Sequence, residues 1–255
     1  MCKYVLSEVS KALKTRATYF YIAGMVLLSI MANLSMIAFR MIYGIVDGSF
    51  GYNLIIFAEG CFIIPYFSTI FIADIVFGPE YPNPHIKTKI TNGLSRTKIY
   101  LGKFVAQILL AACFVIVAVV LFIGITYLFM ASDGTIDEWT IEDFCQKVLF
   151  SIPLWVAGLA FGNMYLFIFR RKLYAYIAFF VTVVAVPRLI MLFGAQPFEW
   201  TPFVLLRQYV LLTPRFSELQ YLFTQNEYLV VALSAVYTVI ALFIGWKIFR
   251  DNTRK

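Results

Sequence analysis

Residues 99–131 read IYLGKFVAQILLAACFVIVAVVLFIGITYLFMA and carry a single charged side chain, Lys103. The hydrocarbon core of a bilayer is about 30 Å thick and takes about 20 mostly apolar residues to cross as a helix. This run exceeds that length, so it predicts a membrane span that tilts strongly or begins in the interface. Five more stretches qualify: 19–39, 54–77, 148–169, 173–193 and 228–249. The composition agrees, since 62% of the 255 residues are hydrophobic and 14% charged, with 26 Phe and 16 Tyr. Soluble domains are about 45–50% apolar and about 25% charged, and one of this length has no way to bury so much apolar surface. Disorder, collagen-like repeats and a disulfide-stapled secreted scaffold are excluded on the same grounds. The expected fold class is an all-α membrane protein, a single domain over 1–255 with six transmembrane helices.

Basic residues set the expected orientation, because Lys and Arg accumulate in short cytoplasmic loops. With the N-terminus inside, the cytoplasmic segments hold Lys3, Lys11, Lys14 and Arg16, then Lys87, Lys89, Arg96, Lys98 and Lys103. They also hold Arg170, Arg171 and Lys172, then Lys247, Arg250, Arg254 and Lys255, which makes 16 of the 21 basic residues. Arg40, Lys147, Arg207 and Arg215 fall outside and Arg188 within a span, while Asp133, Asp137, Glu138, Glu142 and Asp143 crowd one external loop. Both termini are therefore expected in the cytoplasm. The net charge of +7 is scattered over these loops and does not point to nucleic acid. The first apolar run is too long for a signal-peptide core and no small-x-small cleavage site follows it, so it is expected to remain as an anchor.

The segments between the spans are more informative. In 1–18, Tyr4, Val5, Val9, Ala12 and Leu13 share one helical face, with Glu8, Lys11 and Lys14 on the other. That pattern predicts an interfacial helix whose basic side meets anionic lipid, a plain extension of the first span being the alternative. The 79–98 loop is the only long cytoplasmic one. Asn83 can cap a helix opening at Pro84, Gly93 can end it, and Ser95 can cap the helix leading into the third span. Ile86 and Ile90 then share a face while Lys87 and Lys89 point elsewhere; an ordinary positive-inside loop is the alternative. In 194–227, the stretch 202–212 is apolar except for Arg207 and Gln208, and Pro197, Pro202 and Pro214 punctuate the segment. Too short to span, it predicts one or two re-entrant-like helices dipping into the outer leaflet between spans five and six.

Enzymatic patterns are missing from the sequence. Cys2, Cys61, Cys113 and Cys145 are widely spaced without a C-x-x-C, and His85 is the lone histidine, so no catalytic, cofactor-binding or metal residues are expected. Gly102-Lys103 faintly echoes a phosphate-binding loop, but Thr97 stands where its first glycine belongs and Phe104 where its Ser/Thr belongs. Charges within spans are costly and often functional. Glu59 and Arg188 fall at similar depths, as partners or as walls of a wet cavity. Asp74 lies near the cytoplasmic end of the second span, within reach of interfacial water or a basic loop residue. A role in helix packing fits these charges about as well as contact with cargo. Pro65, mid-span, predicts a kink in the second helix. Three charges make neither a proton relay nor a selectivity ring, and no internal repeat is evident.

The stretch Ile86-Lys87-Thr88-Lys89-Ile90-Thr91-Asn92-Gly93-Leu94-Ser95-Arg96-Thr97-Lys98-Ile99-Tyr100, with Lys103 behind it, resembles the "tiknkl-x-x-G-x-s-R-x-x-i-y" segment of ABC-2 type transporter permeases. The order of parts is similar to that family over essentially the whole chain. The family often has an acidic residue and a glycine ahead of the segment; here Glu80 is present among Pro79, Pro82 and Pro84. The resemblance implies a transport subunit, itself not an enzyme, working with two copies of a cytoplasmic ABC ATPase that bind ATP and Mg. It implies a second permease copy, as homodimer or heterodimer with a related permease, in the plasma membrane of a bacterial cell. By the same resemblance Pro84, His85, Ile86, Lys87, Thr88, Lys89, Ile90, Thr91, Asn92 and Gly93 form the coupling helix that docks on the ATPase. In build the chain is most similar to phenol-soluble modulin and bacteriocin-immunity exporters, implying hydrophobic or amphipathic peptide cargo; drugs, lipids or polysaccharide are the alternatives. A stand-alone channel or ion-coupled carrier ranks next, and a membrane enzyme last.

Overall fold

A computed structural model describes residues 2–43, 61–78, 94–129, 138–169, 171–195, 200–218 and 227–252. Nearly all of these residues are helical, and no strand occurs among them. The helices are α1 (Cys2–Leu13), α2 (Arg16–Tyr43), α3 (Ile63–Phe77), α4 (Arg96–Phe129) and α5 (Glu138–Ile168). Next comes a rod made of α6 (Lys172–Phe180), a π-helical segment (Val181–Ala185) and α7 (Val186–Phe193). Two short helices, α8 (Thr201–Tyr209) and α9 (Thr213–Glu218), precede α10 (Glu227–Asn252).

Five of these units, α2, α4, α5, the α6–α7 rod and α10, are long and apolar enough to cross a membrane. This is a helical, multi-pass membrane protein. The described part of the second predicted span is α3, 15 residues long and so about 22 Å at 1.5 Å per residue. Residues 54–60 of that span lie outside the described residues. Pro65 falls in the first turn of α3, where a missing N–H breaks no bond of the described helix; residues 54–60 before it, against which the sequence predicts a kink, lie outside the described residues.

Sequence explains the arrangement of the helices. In α5, Gly158 and Gly162 form a G-x-x-x-G step that faces α3. A Cβ added at Gly162 would lie 3.1 Å from the Ile70 Cα and 3.2 Å from the Ala73 Cβ, and one at Gly158 would lie 2.8 Å from the Tyr66 ring. Small residues at this spacing let two backbones approach in an apolar medium, where packing rather than water exclusion holds helices together. α3 is consequently enclosed, with Tyr66, Thr69, Ile70, Ile72, Ala73, Ile75, Val76 and Phe77 all buried. α2 and the rod instead expose Leu27, Leu28, Met31, Leu34, Leu189 and Leu192, as lipid-facing helices do.

Packing defines two ends. Phe77, Ile99, Tyr100, Phe167 and Phe249 cluster together, which places the ends of α3, α5 and α10 beside the start of α4. At the opposite end Phe62, Tyr66, Leu154 and Trp155 pack with Leu212 and Phe216 from around α9. The Trp155 Nε1 there donates to the Phe62 carbonyl at 2.9 Å.

The N-terminal helix departs from its expected pattern. Its buried face is Val5, Glu8 and Ala12, while Leu6 and Leu13 are exposed. Glu8, assigned by the helical wheel to the polar side, points into the protein because a buried lysine receives it there.

Candidate functional site

Residues 79–93, which include every position of the expected coupling helix from Pro84 to Gly93, lie outside the described residues. The two stems that carry this segment, the end of α3 and the start of α4, are described. Among the described residues, their fixation is an extended polar arrangement. Ser95 caps α4 as its sequence predicts, its hydroxyl accepting the Lys98 N–H at 3.3 Å.

Lys103 is completely buried. Its Nζ lies 2.9 Å from Glu8 Oε2, donates to the Val76 carbonyl at 2.8 Å, and sits 5.1 Å from the centre of the Phe77 ring. One ammonium thus ties together α1, the last turn of α3 and the first turns of α4. Val76 is in that last turn, where helix carbonyls lack intrahelical donors and a cation meets the negative end of the dipole. Gly102, next to Lys103, serves the same junction: a Cβ there would come 2.8 Å from the Tyr4 ring of α1. The Gly102-Lys103 pair that echoes a phosphate loop is therefore a helix-packing device, the glycine making room for Tyr4 and the lysine meeting Glu8.

Three further contacts surround this junction. Lys172, at the start of α6, reaches Asp74 Oδ1 at 2.8 Å and Oδ2 at 3.0 Å, and Tyr176 donates to Asp74 Oδ2 at 2.7 Å. Together with Phe77, Gly78, Leu166, Phe167 and Phe169, Asp74 and Lys172 line a small cleft at the end of α3. From α10, Trp246 Nε1 donates to Thr97 Oγ1 at 3.2 Å, and Arg250 stacks 4.8 Å from the Trp246 ring centre. Deeper, Gln107 and Asn163 exchange amide hydrogen bonds of 2.8 and 2.7 Å, and Gln107 Nε2 lies 3.3 Å from the Ala73 carbonyl. Both stems are thereby tied to α1, α5, α6 and α10.

Of the charges that the sequence singles out within spans, Asp74 belongs to this platform. Glu59 lies outside the described residues. Arg188 is exposed on α7, and among the described residues no carboxylate pairs with it. Sequence reasoning missed the buried Glu8–Lys103 pair, the Gln107–Asn163 pair and Arg215, which is 1% exposed at the opposite end. A signal existed for two of them: Lys103 and Gln107 lie four apart, on one face of a helix that is otherwise apolar. Among the described residues no three His, Cys, Asp or Glu side chains gather closely enough to hold a metal ion. These contacts join α1, α3, α4, α5, α6 and α10 at one end of the bundle. No family model matches the chain, and no curated protein matches it.

Proposed function

We propose that this chain is the permease subunit of an ATP-driven ABC-2 type exporter. In this reading it crosses the plasma membrane of a bacterial cell six times, the second span running from residue 54 through α3. Both termini and the 79–93 segment face the cytoplasm, and α8 and α9 form a re-entrant element at the outer face. Two permease copies and two separate ATPase subunits make the working unit, with ATP and Mg bound in the ATPases.

The observation that carries the reading is the clamp at Lys103. A segment that receives a push from a partner transmits it only if its stems are fixed to the helices that must move. Here a fully buried ammonium ties both stems to the N-terminal helix, and Lys172 and Trp246 extend the tie to α6 and α10. Uncovering a buried charge costs several kcal/mol, so this end favours moving as one body over shearing internally. A channel needs no such platform. Large apolar side chains are exposed along α2, α4, the α6–α7 rod and α10, which suits lipid and a second permease copy, and amphipathic peptides are the cargo this build fits best.

Purification from native membranes tests the partner: a Walker-motif ATPase is expected to co-purify, and its absence would sink the proposal. Ile86→Asp with Ile90→Asp is expected to abolish that association while leaving membrane insertion intact. Stimulation of the reconstituted complex's ATPase by amphipathic peptides, but not by lipids, drugs or glycans, is the expected cargo signature.

A further inference from the structure

The α6–α7 rod is interrupted midway by the π-helical turn Val181–Ala185, in which the Val186 N–H bonds to the Val181 carbonyl. Two residues of the sequence account for a weak point here. Pro187 stands four residues after Val183 and has no N–H, so it cannot return the α-helical bond to the Val183 carbonyl. Thr213, at the start of α9, supplies a replacement: its Oγ1 donates to the Val183 carbonyl at 3.0 Å, in a buried contact. The flanking residues seat α9 firmly. Leu212 and Phe216 pack in one cluster with Val183 and Phe179, and the Phe216 ring lies 5.1 Å from that of Tyr66.

Beyond the π turn, α7 is joined tightly to α8. The Phe193 and Trp200 rings stack at 5.3 Å and 7°, the Trp200 N–H donates to the Phe193 carbonyl at 3.2 Å, and a Cβ at Gly194 would meet the Phe203 backbone at 3.2 Å. α7 and α8 therefore form one rigid piece, connected to α6 through a turn whose regular hydrogen bonding Pro187 has broken. We propose that Val181–Ala185 is a hinge and Thr213 its latch. With the Thr213 bond made, α9 is locked against the rod; with it broken, α7 and α8 swing as a unit relative to α6, and α9 is free to lift Phe216 from Tyr66. π turns and prolines are the places where membrane helices bend, and neighbouring hydroxyls re-satisfy the carbonyls they free. In the permease reading this motion opens the end opposite the 79–93 segment; the hinge itself stands without that reading and is tested on the isolated chain.

Spin labels at Tyr174 and Leu192, both exposed, bracket the hinge, about 27 Å apart along a straight helix. In nanodiscs, with labelled chain diluted into unlabelled and native cysteines replaced, the parent should give one narrow distance. Thr213→Val should add a second, and Thr213→Ser, which keeps the hydroxyl, should not. Pro187→Ala restores the missing donor, so in that background Thr213→Val should have no effect. Hydrogen exchange gives a second readout: Thr213→Val should raise exchange of amides around 184–190 by about 2- to 10-fold, the loss of one net hydrogen bond, with α5 unchanged. An unaltered distance distribution and unaltered exchange in Thr213→Val would overturn the latch. An effect of Thr213→Val that persists in full beside Pro187→Ala would overturn the role given to the proline.

Discussion

At the end of the bundle next to α1, Lys103 is held by a carboxylate, a carbonyl and an aromatic ring. At the other end, the Thr213 hydroxyl holds α9 to the π turn of the rod among apolar neighbours, two residues before the buried Arg215. The two fastenings differ in what it costs to undo them. Separating a buried ion pair strands a charge, at several kcal/mol, whereas releasing one neutral hydrogen bond costs about 1 kcal/mol. The Lys103 junction is thereby rigid, whereas the Thr213 contact leaves the π turn of the rod able to change. Such a division is what the proposed permease needs, taking a push on one side and opening on the other.

The largest predicted effect attacks the rigid end. Lys103→Met leaves Glu8 buried without its ammonium and is expected to cost about 3–5 kcal/mol, a fall in melting temperature on the order of 10 °C for a chain of this size. The double variant Lys103→Met with Glu8→Leu should recover most of it, because a well-packed apolar pair often replaces a buried ion pair without loss. Thermal unfolding of the single and double variants in one detergent makes the comparison. A loss below about 1 kcal/mol in the single variant would mean that the two ends are fastened alike.

Backbone packing is the rival source of rigidity, and it is tested next. Gly162→Leu forces a side chain into the contact with Ile70 and Ala73, at about 1–3 kcal/mol. Gly24, in α2, has nothing within 4 Å of an added Cβ, so Gly24→Ala should be neutral or stabilise by up to about 1 kcal/mol through helix propensity. Thermal unfolding again decides. If both substitutions destabilise equally, the close approach of α3 and α5 is not what holds the enclosed helix.

Much of the bundle was legible in the sequence because the bilayer imposes it: five of the six predicted spans coincide with long apolar helices, and residue counts alone set that scale. What escaped was whatever depends on which helices become neighbours. Glu8 sits among lysines on a helical wheel, and only the position of Lys103 on another helix turns it inward. Arg215 counts as a loop charge in a tally by segment, yet the short helix that carries it folds back into the bundle and buries it. Gly158-x-x-x-Gly162 is visible as a pattern, but nothing local says that α3 is the helix it receives. Of the residues expected to act, Asp74 is seen in the platform, Arg188 faces outward, and Glu59 and the 84–93 segment lie outside the described residues.

The smallest effect is the sharpest check on how the platform works. The Asp74–Lys172 pair matches Glu8–Lys103 in length, at 2.8 Å against 2.9 Å, but the Lys172 side chain is 52% exposed where that of Lys103 is 0%. Water competes for the exposed ammonium, and such pairs contribute about 0–1 kcal/mol. Lys172→Ala should therefore change stability by less than about 1 kcal/mol, since Asp74 keeps the Tyr176 hydroxyl as a donor and gains solvent in the small cleft that opens beside it. If unfolding shows instead that Lys172→Ala costs as much as Lys103→Met, burial is not what separates strong fastenings from weak ones. If the loss is small, the stems differ in kind: the lysine inside α4 sets the position of the platform, and the lysine at the start of α6 only guides α6 to it.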